Sequence, residues 1–324
     1  MIKIYDCSNS NERPSHNLSN LGPVENDIMR DLKIYANYYG FNFVDNVSNA
    51  DVVITNDIFP STIKKLTIPK VKRMDGIYWK NDLKSRNGAL NESAALSNLV
   101  IFISNFSRMS LMRLYPDVFL KLNTAVVVVN YVDTSIFQRI DKYLPIEPTF
   151  IWSACASNWS REEKRLNELI RFSSVIDKND VIQVIGKCDC DLPNNMIKIG
   201  YVSNDSQKSK ILQNSHAFVN FSYRDAGSKV VCQAVACGLP IFYADSGSIT
   251  DLIYSHHGLG RRVPDTKSIY FKDGVPNLLL DDIRIGYKSF KQDYYNMVEY
   301  IKQQEIFDYQ ETIYSYFQEI RKVL

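Results

Sequence analysis

The sequence predicts an α/β protein of two domains, each built on a parallel sheet. Its 324 residues divide into two domains of ordinary size. Apolar, β-rich runs alternate with helix-patterned segments along most of the chain, as in parallel sheets covered on both faces. The stretch Asn220 to Ile253, NFSYRDAGSKVVCQAVACGLPIFYADSGSITDLI, reads as strand, loop, helix, strand, loop, helix.

The first strand is Ile2 to Tyr5, followed by a polar loop from Asp6 to Leu21 that is longer than an ordinary connection. Pro23, Glu25 and Asp27 start a helix, Ile28, Leu32, Tyr35 and Tyr39 give its apolar stripe, and Gly40 stops it. Gly22 is a turn glycine, or one that lets the helix begin close to a ligand. Further strands are expected at Phe41–Val44, Asp51–Thr55, Val71–Met74, Leu99–Ser104 and Ala125–Val129. The prolines of Leu144–Pro148 break helix and sheet and mark the linker, so the domains are 1–145 and 146–324. The second opens with the strand TFIWSACA. Ser160 and Glu163 have capping-box spacing at the next helix start. VIQVIG, IKIGYVS, HAFVNFS and PIFYAD supply four more strands, and DYQETIYSYFQEIRKVL is an aromatic-rich final helix.

A content of 45% hydrophobic and 23% charged residues describes a globular protein, and a net charge of +2 gives no electrostatic case for a nucleic-acid partner. The longest aliphatic run, Ala125 to Val129, is far short of a membrane span and MIKIYDCSN lacks a signal-peptide core, so a cytoplasmic location is expected. The cluster Lys64, Lys65, Lys70, Lys72 and Arg73 is a solvated edge, or a surface for peripheral contact with anionic lipid or a charged acceptor. The six cysteines read as free thiols, and Cys188-x-Cys190 lacks the second ligand pair of a zinc site.

RDAGS stands at the carboxyl edge of a strand and at a helix N-terminus, where N–H groups and the helix dipole favour an anion. Lys229 and Gln233, four apart, share a face of the helix expected at Ser228–Cys237, and Asp225 precedes it. A carboxylate, an amide and an ammonium together suit hydroxyls plus phosphate. Lys164 and Arg165 enter the first turns of another helix, where a cation opposes the dipole and a bound pyrophosphate would favour one.

This pattern resembles the donor site of retaining glycosyltransferases of the two-Rossmann-domain (GT-B) type, glycosyltransferase family 4 in particular. The matching residues are Asp225, seven residues, Gln233, then Ala234, Ala236, Cys237, Gly238 and Pro240, with the Gly-rich tail DSGSITDLI. The family usually has Glu where Gln233 stands, and its Arg at the preceding strand end has no clear counterpart. The resemblance implies two Rossmann-like doubly wound domains facing a cleft, with the donor in the second, the acceptor in the first and the last helix crossing back. It implies a hexosyltransferase (EC 2.4) that retains anomeric configuration without metal or cofactor, a UDP- or GDP-sugar being the donor substrate. Lys164 and Lys229 then neutralise the diphosphate with Arg165 nearby and the N–H groups of Gly227 and Ser228. Asp225 binds sugar hydroxyls, Gln233 reaches the ribose and Tyr201 flanks the base or covers the core edge. Asp75 of RMDGIYW is the acceptor-side catalytic candidate, or a turn residue before Gly76. Asn130 and Asp133 match an Asn-x-Val-Asp segment and read as hinge and cap. The acceptor, a glycan or lipid-linked sugar among others, is not specified by these residues. Two other functions fit parts of the chain: a metal-dependent glycosyltransferase using Asp189-x-Asp191, and a catalytically silent nucleotide-binding protein, which Gln233 would suit.

Overall fold

The computed structural model describes residues 1–8, 24–79, 84–140, 147–265, 274–304 and 309–324. The long loop through Leu21, Gly22, Pro23 and the start of the expected linker lie outside the described residues. The chain forms two compact units, one comprising Met1–Val129 and Gln310–Leu324, the other Asn130–Ser268 and Gly274–Tyr309.

The first unit contains β1 (Ile2–Asp6), α1 (Val24–Tyr35), β2 (Phe41–Phe43), β3 (Val52–Thr55), α2 (Ser61–Lys64) and β4 (Lys70–Met74). It continues through α3 (Lys84–Ala95), β5 (Leu99–Phe102), α4 (Asn105–Leu114), α5 (Pro116–Phe119) and β6 (Ala125–Val127). All its strand pairs are parallel, in the order β2-β1-β3-β4-β5-β6. β3, β4 and β5 are buried at every residue, as expected for sheet centres covered on both faces.

β4 corrects the reading of the basic cluster. Lys70, Lys72 and Arg73 are 6%, 1% and 1% exposed, so they form no cationic surface with Lys64, which pairs with Glu92 at 2.6 Å. Their charged ends are satisfied from within: Lys72 Nζ donates to the Arg73 carbonyl at 2.9 Å, and Arg73 pairs with Asp75. Sequence spacing shows only that the cations are close, whereas the pairing of β4 between β3 and β5 puts three of them inside.

The second unit contains β7 (Ile151–Asn158), α6 (Leu166–Ser173), β8 (Val181–Lys187), β9 (Met196–Gly200), α7 (Asp205–Gln213) and β10 (Ala217–Asn220). There follow α8 (Lys229–Ala236), β11 (Ile241–Ala244), α9 (Ser248–Ser255), β12 (Gly260–Val263) and α10 (Leu280–Lys302). The sheet is again parallel, ordered β12-β11-β10-β7-β8-β9. β10 and β11, the two strands flanking RDAGSK and α8, are therefore neighbours, and β7 lies on the other side of β10. β12 and α10 are elements the sequence reading lacked; their apolar positions are sparse among charges and tyrosines.

One face of this sheet packs an aromatic core. Trp152 meets Phe172 of α6 at 5.1 Å and Phe290 of α10 at 4.9 Å, with Phe242 of β11 5.2 Å from Phe172. The polar edges of this core converge on Asp180, which accepts from Trp152 Nε1 at 3.2 Å and Tyr287 OH at 3.1 Å and pairs with Lys291 at 3.1 Å. Three donors on one buried carboxylate satisfy its oxygens and fix α10 against the sheet.

The expected capping box is also corrected. Ser160 donates its N–H to Asn158 Oδ1 at 2.9 Å, a short 3-10 turn spans Glu162–Lys164, and α6 starts after Arg165, which sits at φ 53°. The Asn158 turn and the left-handed residue divide what the sequence spacing suggests is one helix start.

The last helix, α11 (Tyr309–Arg321), falls within the first unit from Gln310 onward. Phe317 stacks on Phe41 at 4.7 Å, and buried Tyr316 accepts from Arg73 Nε at 3.1 Å. Replacing Tyr316 by Phe leaves a buried guanidinium without that acceptor. Tyr316→Phe is expected to cost about 1.5–3 kcal/mol in urea unfolding, the range for a hydrogen bond to a charged group. A midpoint equal to wild type would show that Arg73 does not depend on α11.

Candidate active site

Three loops leave the carboxyl ends of adjacent parallel strands: residues 159–165 after β7, 221–228 after β10 and 245–247 after β11. This is where ligands bind in open α/β sheets. The loops are tied together through their backbones. Tyr223 N–H donates to the Glu163 carbonyl at 2.7 Å, Ser248 N–H to the Asp225 carbonyl at 2.8 Å, and Arg224 N–H to Ser246 Oγ at 3.0 Å.

Gly247 shows why a glycine stands between Ser246 and Ser248. Its φ is 73°, and a Cβ there would lie 2.5 and 2.6 Å from the Asp225 carbonyl oxygen and nitrogen. Only a residue without a side chain lets the third loop lie directly on the second.

The centre of the arrangement is an ion pair between loops. Lys164 Nζ lies 2.9 Å from Asp225 Oδ2, with both side chains largely but not fully buried. Burial by itself would raise the Asp225 carboxyl. The Lys164 charge and hydrogen bond, the Gly227 N–H and Arg161 together outweigh it and hold the group below the usual carboxylate range. Asp225 Oδ1 accepts from Gly227 N–H at 3.2 Å, and Ser228 N–H donates to Ser248 Oγ at 3.3 Å. Both N–H groups expected at an anion therefore have protein acceptors, at distances long enough for a phosphate oxygen to compete.

The structure brings Lys164, Asp225, Gly227 and Ser228 together in one cluster, with Lys229 opening α8 beside them. Lys229 Nζ stands 6.0 Å from the centre of the Tyr131 ring. Gln233, one turn on, is 3% exposed, and its Oε1 has no hydrogen-bond partner among the described residues. An orphaned buried acceptor of this kind costs about 1–3 kcal/mol.

Other expected residues lie apart from this cluster. Arg165 turns its guanidinium to Asp265, with Nη1–Oδ2 at 2.6 Å and Nη2–Oδ1 at 3.0 Å, and Nη2 also donates to the Pro276 carbonyl. At 4% exposure and with a bidentate partner it anchors the loop that carries Lys164. Tyr201 follows β9, two strands from β7, and is 57% exposed. Asp75 belongs to the first unit, at the end of β4. Asp189 and Asp191 are exposed on the loop after β8. Among the described residues no three His, Cys, Asp or Glu side chains group as a metal-binding set.

Asn130, read as a hinge residue, donates from Nδ2 to the Gly227 carbonyl at 3.0 Å, bracing the second loop from the segment after β6. Asp133 acts as the expected cap, accepting from Ser135 N–H at 3.0 Å. Tyr223 and Asp265 escaped sequence reasoning. Tyr223 lies between two guanidiniums, Arg165 at 4.8 Å and Arg224 at 4.6 Å. Asp265 had no local signal, since its partner is 100 residues away.

The two parallel-sheet units have the GT-B fold of glycosyltransferases, and the protein is a glycosyltransferase. Residues 161–303 match the family model described as glycosyl transferases group 1. No curated protein sequence matches the chain significantly. Among solved structures, sucrose-phosphate synthase from Thermosynechococcus elongatus aligns with a TM-score of 0.66 at 12% identity, over 99% of this chain and 88% of that one. HepE from Anabaena, solved with UDP-glucose, aligns at 0.65 and 14% over 100% of both chains. WaaG, a glycosyltransferase involved in lipopolysaccharide biosynthesis, aligns at 0.63 and 10% over 98% of this chain and 99% of that one.

The sign of the Asp225 shift yields a test. A depressed carboxylate adds stability above the unfolded value of about 3.9 and loses it as pH falls through the lower folded value. Lys164→Met removes the leading cause of the depression and leaves burial. The Asp225 carboxyl, followed by carbon NMR against pH, is expected to titrate higher in Lys164→Met than in wild type. Identical titrations would mean that the loop N–H groups alone hold the charge.

Proposed function

We propose that this glycosyltransferase transfers a hexose from a UDP- or GDP-sugar to a hydroxyl acceptor with retention of configuration and without a metal ion. The observation that carries the reading is the Lys164–Asp225 pair, held where three loops meet at the start of α8. Lys164 and Lys229 stand at this cluster with Asp225 as the facing carboxylate, and two ammonium groups suit a diphosphate. The Anabaena HepE structures with UDP and UDP-glucose support a uridine nucleotide as the first donor to test.

In this reading the Lys164 ammonium, with three donors, keeps one on Asp225 and offers others to the diphosphate. Lys229 and the start of α8 add to the positive field. Charge developing on the leaving oxygen is thereby stabilised by groups already in place. Asp225, ionised across the neutral range, accepts from hydroxyls of the donor sugar. The acceptor oxygen bonds to the anomeric carbon on the face from which the diphosphate departs. The diphosphate leaves with the electrons of the broken C–O bond, and the acceptor proton passes to it. Asp75, paired with Arg73 at the end of β4, is assigned to the acceptor side, and Tyr201 to the border of the base. A glycan or lipid-linked sugar fits the acceptor role, and no cofactor is required.

Calorimetric titration with UDP and GDP in the presence of a chelator tests the diphosphate assignment. Wild type is expected to bind one of them, and Lys164→Ala to bind it more weakly by about 1.5–3 kcal/mol. Unchanged affinity in the variant removes Lys164 from the site. Binding that requires Mn²⁺ would transfer the metal role to Asp189 and Asp191.

The unpartnered Oε1 of Gln233 supports the ribose assignment, because a ribose hydroxyl is the donor it lacks. Gln233→Glu is expected to tighten nucleotide binding by on the order of 1 kcal/mol, a charged acceptor being stronger than a neutral one. The gain should shrink with the 2′-deoxy nucleotide. If both proteins bind ribose and deoxyribose forms alike, Gln233 serves packing alone.

A further inference from the structure

The loop between β8 and β9 carries a pair of thiols that the transfer chemistry does not use. Cys188 and Cys190 place their sulfurs 3.7 Å apart, in contact but unbonded. Cys190 is exposed and Cys188 half-buried. Burial raises the Cys188 thiol, with its hydrogen bond to Cys190 adding to the rise, and Cys190 is the one exposed thiol of the six. Burial pushes the thiols of Cys7 and Cys232 up to about 12, and those of Cys155 and Cys237 up to about 11. They hold little thiolate at neutral pH, and thiolate is the reacting species.

The pair also has a particular place. It lines a cavity of about 670 Å³ together with Trp159, Arg161, Glu162 and Glu168, at the carboxyl ends of β7 and β8. Arg161 and Glu162 belong to the loop that holds Lys164. A disulfide sets its sulfurs about 2.05 Å apart, so closure draws the two atoms together by less than 2 Å. Residues 188–195 belong to no helix or strand and can follow that movement.

We propose that Cys188 and Cys190 form a redox-active dithiol that exchanges with low-molecular-weight disulfides of the glutathione type and closes an intrachain bridge on the rim of this cavity. The exposed Cys190 thiolate attacks one sulfur of the disulfide, and one glutathione leaves as thiolate and takes up a proton. The Cys188 thiolate then attacks the Cys190 sulfur of the mixed disulfide and expels the second glutathione. The two cysteines lose two electrons and two protons, and one glutathione disulfide becomes two thiols. The bridge tightens the cavity rim beside the Lys164 loop.

The test uses the whole chain incubated with oxidised glutathione, quenched in acid, denatured, alkylated and mapped by peptide mass spectrometry. Expected are four alkylated cysteines, no retained glutathione, and a peptide carrying Cys188 and Cys190 that has lost two hydrogens. Dithiothreitol should restore six alkylated cysteines. Cys188→Ser should instead retain one glutathione on Cys190, since the resolving thiol is gone. Six alkylated cysteines after treatment, a bridge involving any other cysteine, or stable glutathione on the wild-type chain would each overturn the proposal. These readouts are chemical and do not depend on sugar transfer.

Discussion

Backbone contact between the loops after β10 and β11 is the constraint on which the site depends. Gly247 lies against the peptide of Asp225 more closely than any Cβ allows, and Ser248 N–H closes the contact on the Asp225 carbonyl. Asp225 is therefore held by main chain before its side chain makes any interaction. The loop carrying Lys164 joins from the other side through the Glu163 carbonyl, so the ion pair spans two loops whose backbones are already fixed. A salt bridge between mobile surface side chains is worth little. One between anchored loops can set the charge state of a buried carboxylate, as the depressed Asp225 carboxyl reflects.

Positive charge in this region is divided between two tasks. Arg165 is locked to Asp265 by two parallel hydrogen bonds and anchors the chain, while its sequence neighbour Lys164 faces Asp225. The division follows from the left-handed backbone at Arg165, which ends the preceding turn and begins α6, so the two cations point to different partners. Guanidinium geometry suits the fixed bidentate role and a flexible ammonium suits a ligand that comes and goes. Below the site, Asp180 and the aromatic cluster of Trp152, Phe172, Phe242 and Phe290 hold α6 and α10 to the sheet. The positions of the loop ends thus rest on close-packed aromatic area.

The sequence by itself determined the α/β class, most strands of both sheets and the residue types of the loop between β10 and α8. These are local properties: β-rich runs broken by Gly and Pro, and a four-residue spacing that puts Lys229 and Gln233 on one helix face. It also carried enough of the family pattern between Asp225 and Pro240 to indicate sugar transfer. Tertiary structure alone decided which cations are available. Lys70, Lys72 and Arg73 look like a surface cluster in sequence and lie inside because β4 pairs on both edges. Asn130 and Asp265 join the loops after β10 and β7 across 97 and 100 residues, distances at which sequence carries no periodic signal. Strand order decides such meetings, and strand order follows from how whole faces pack, which no local spacing records.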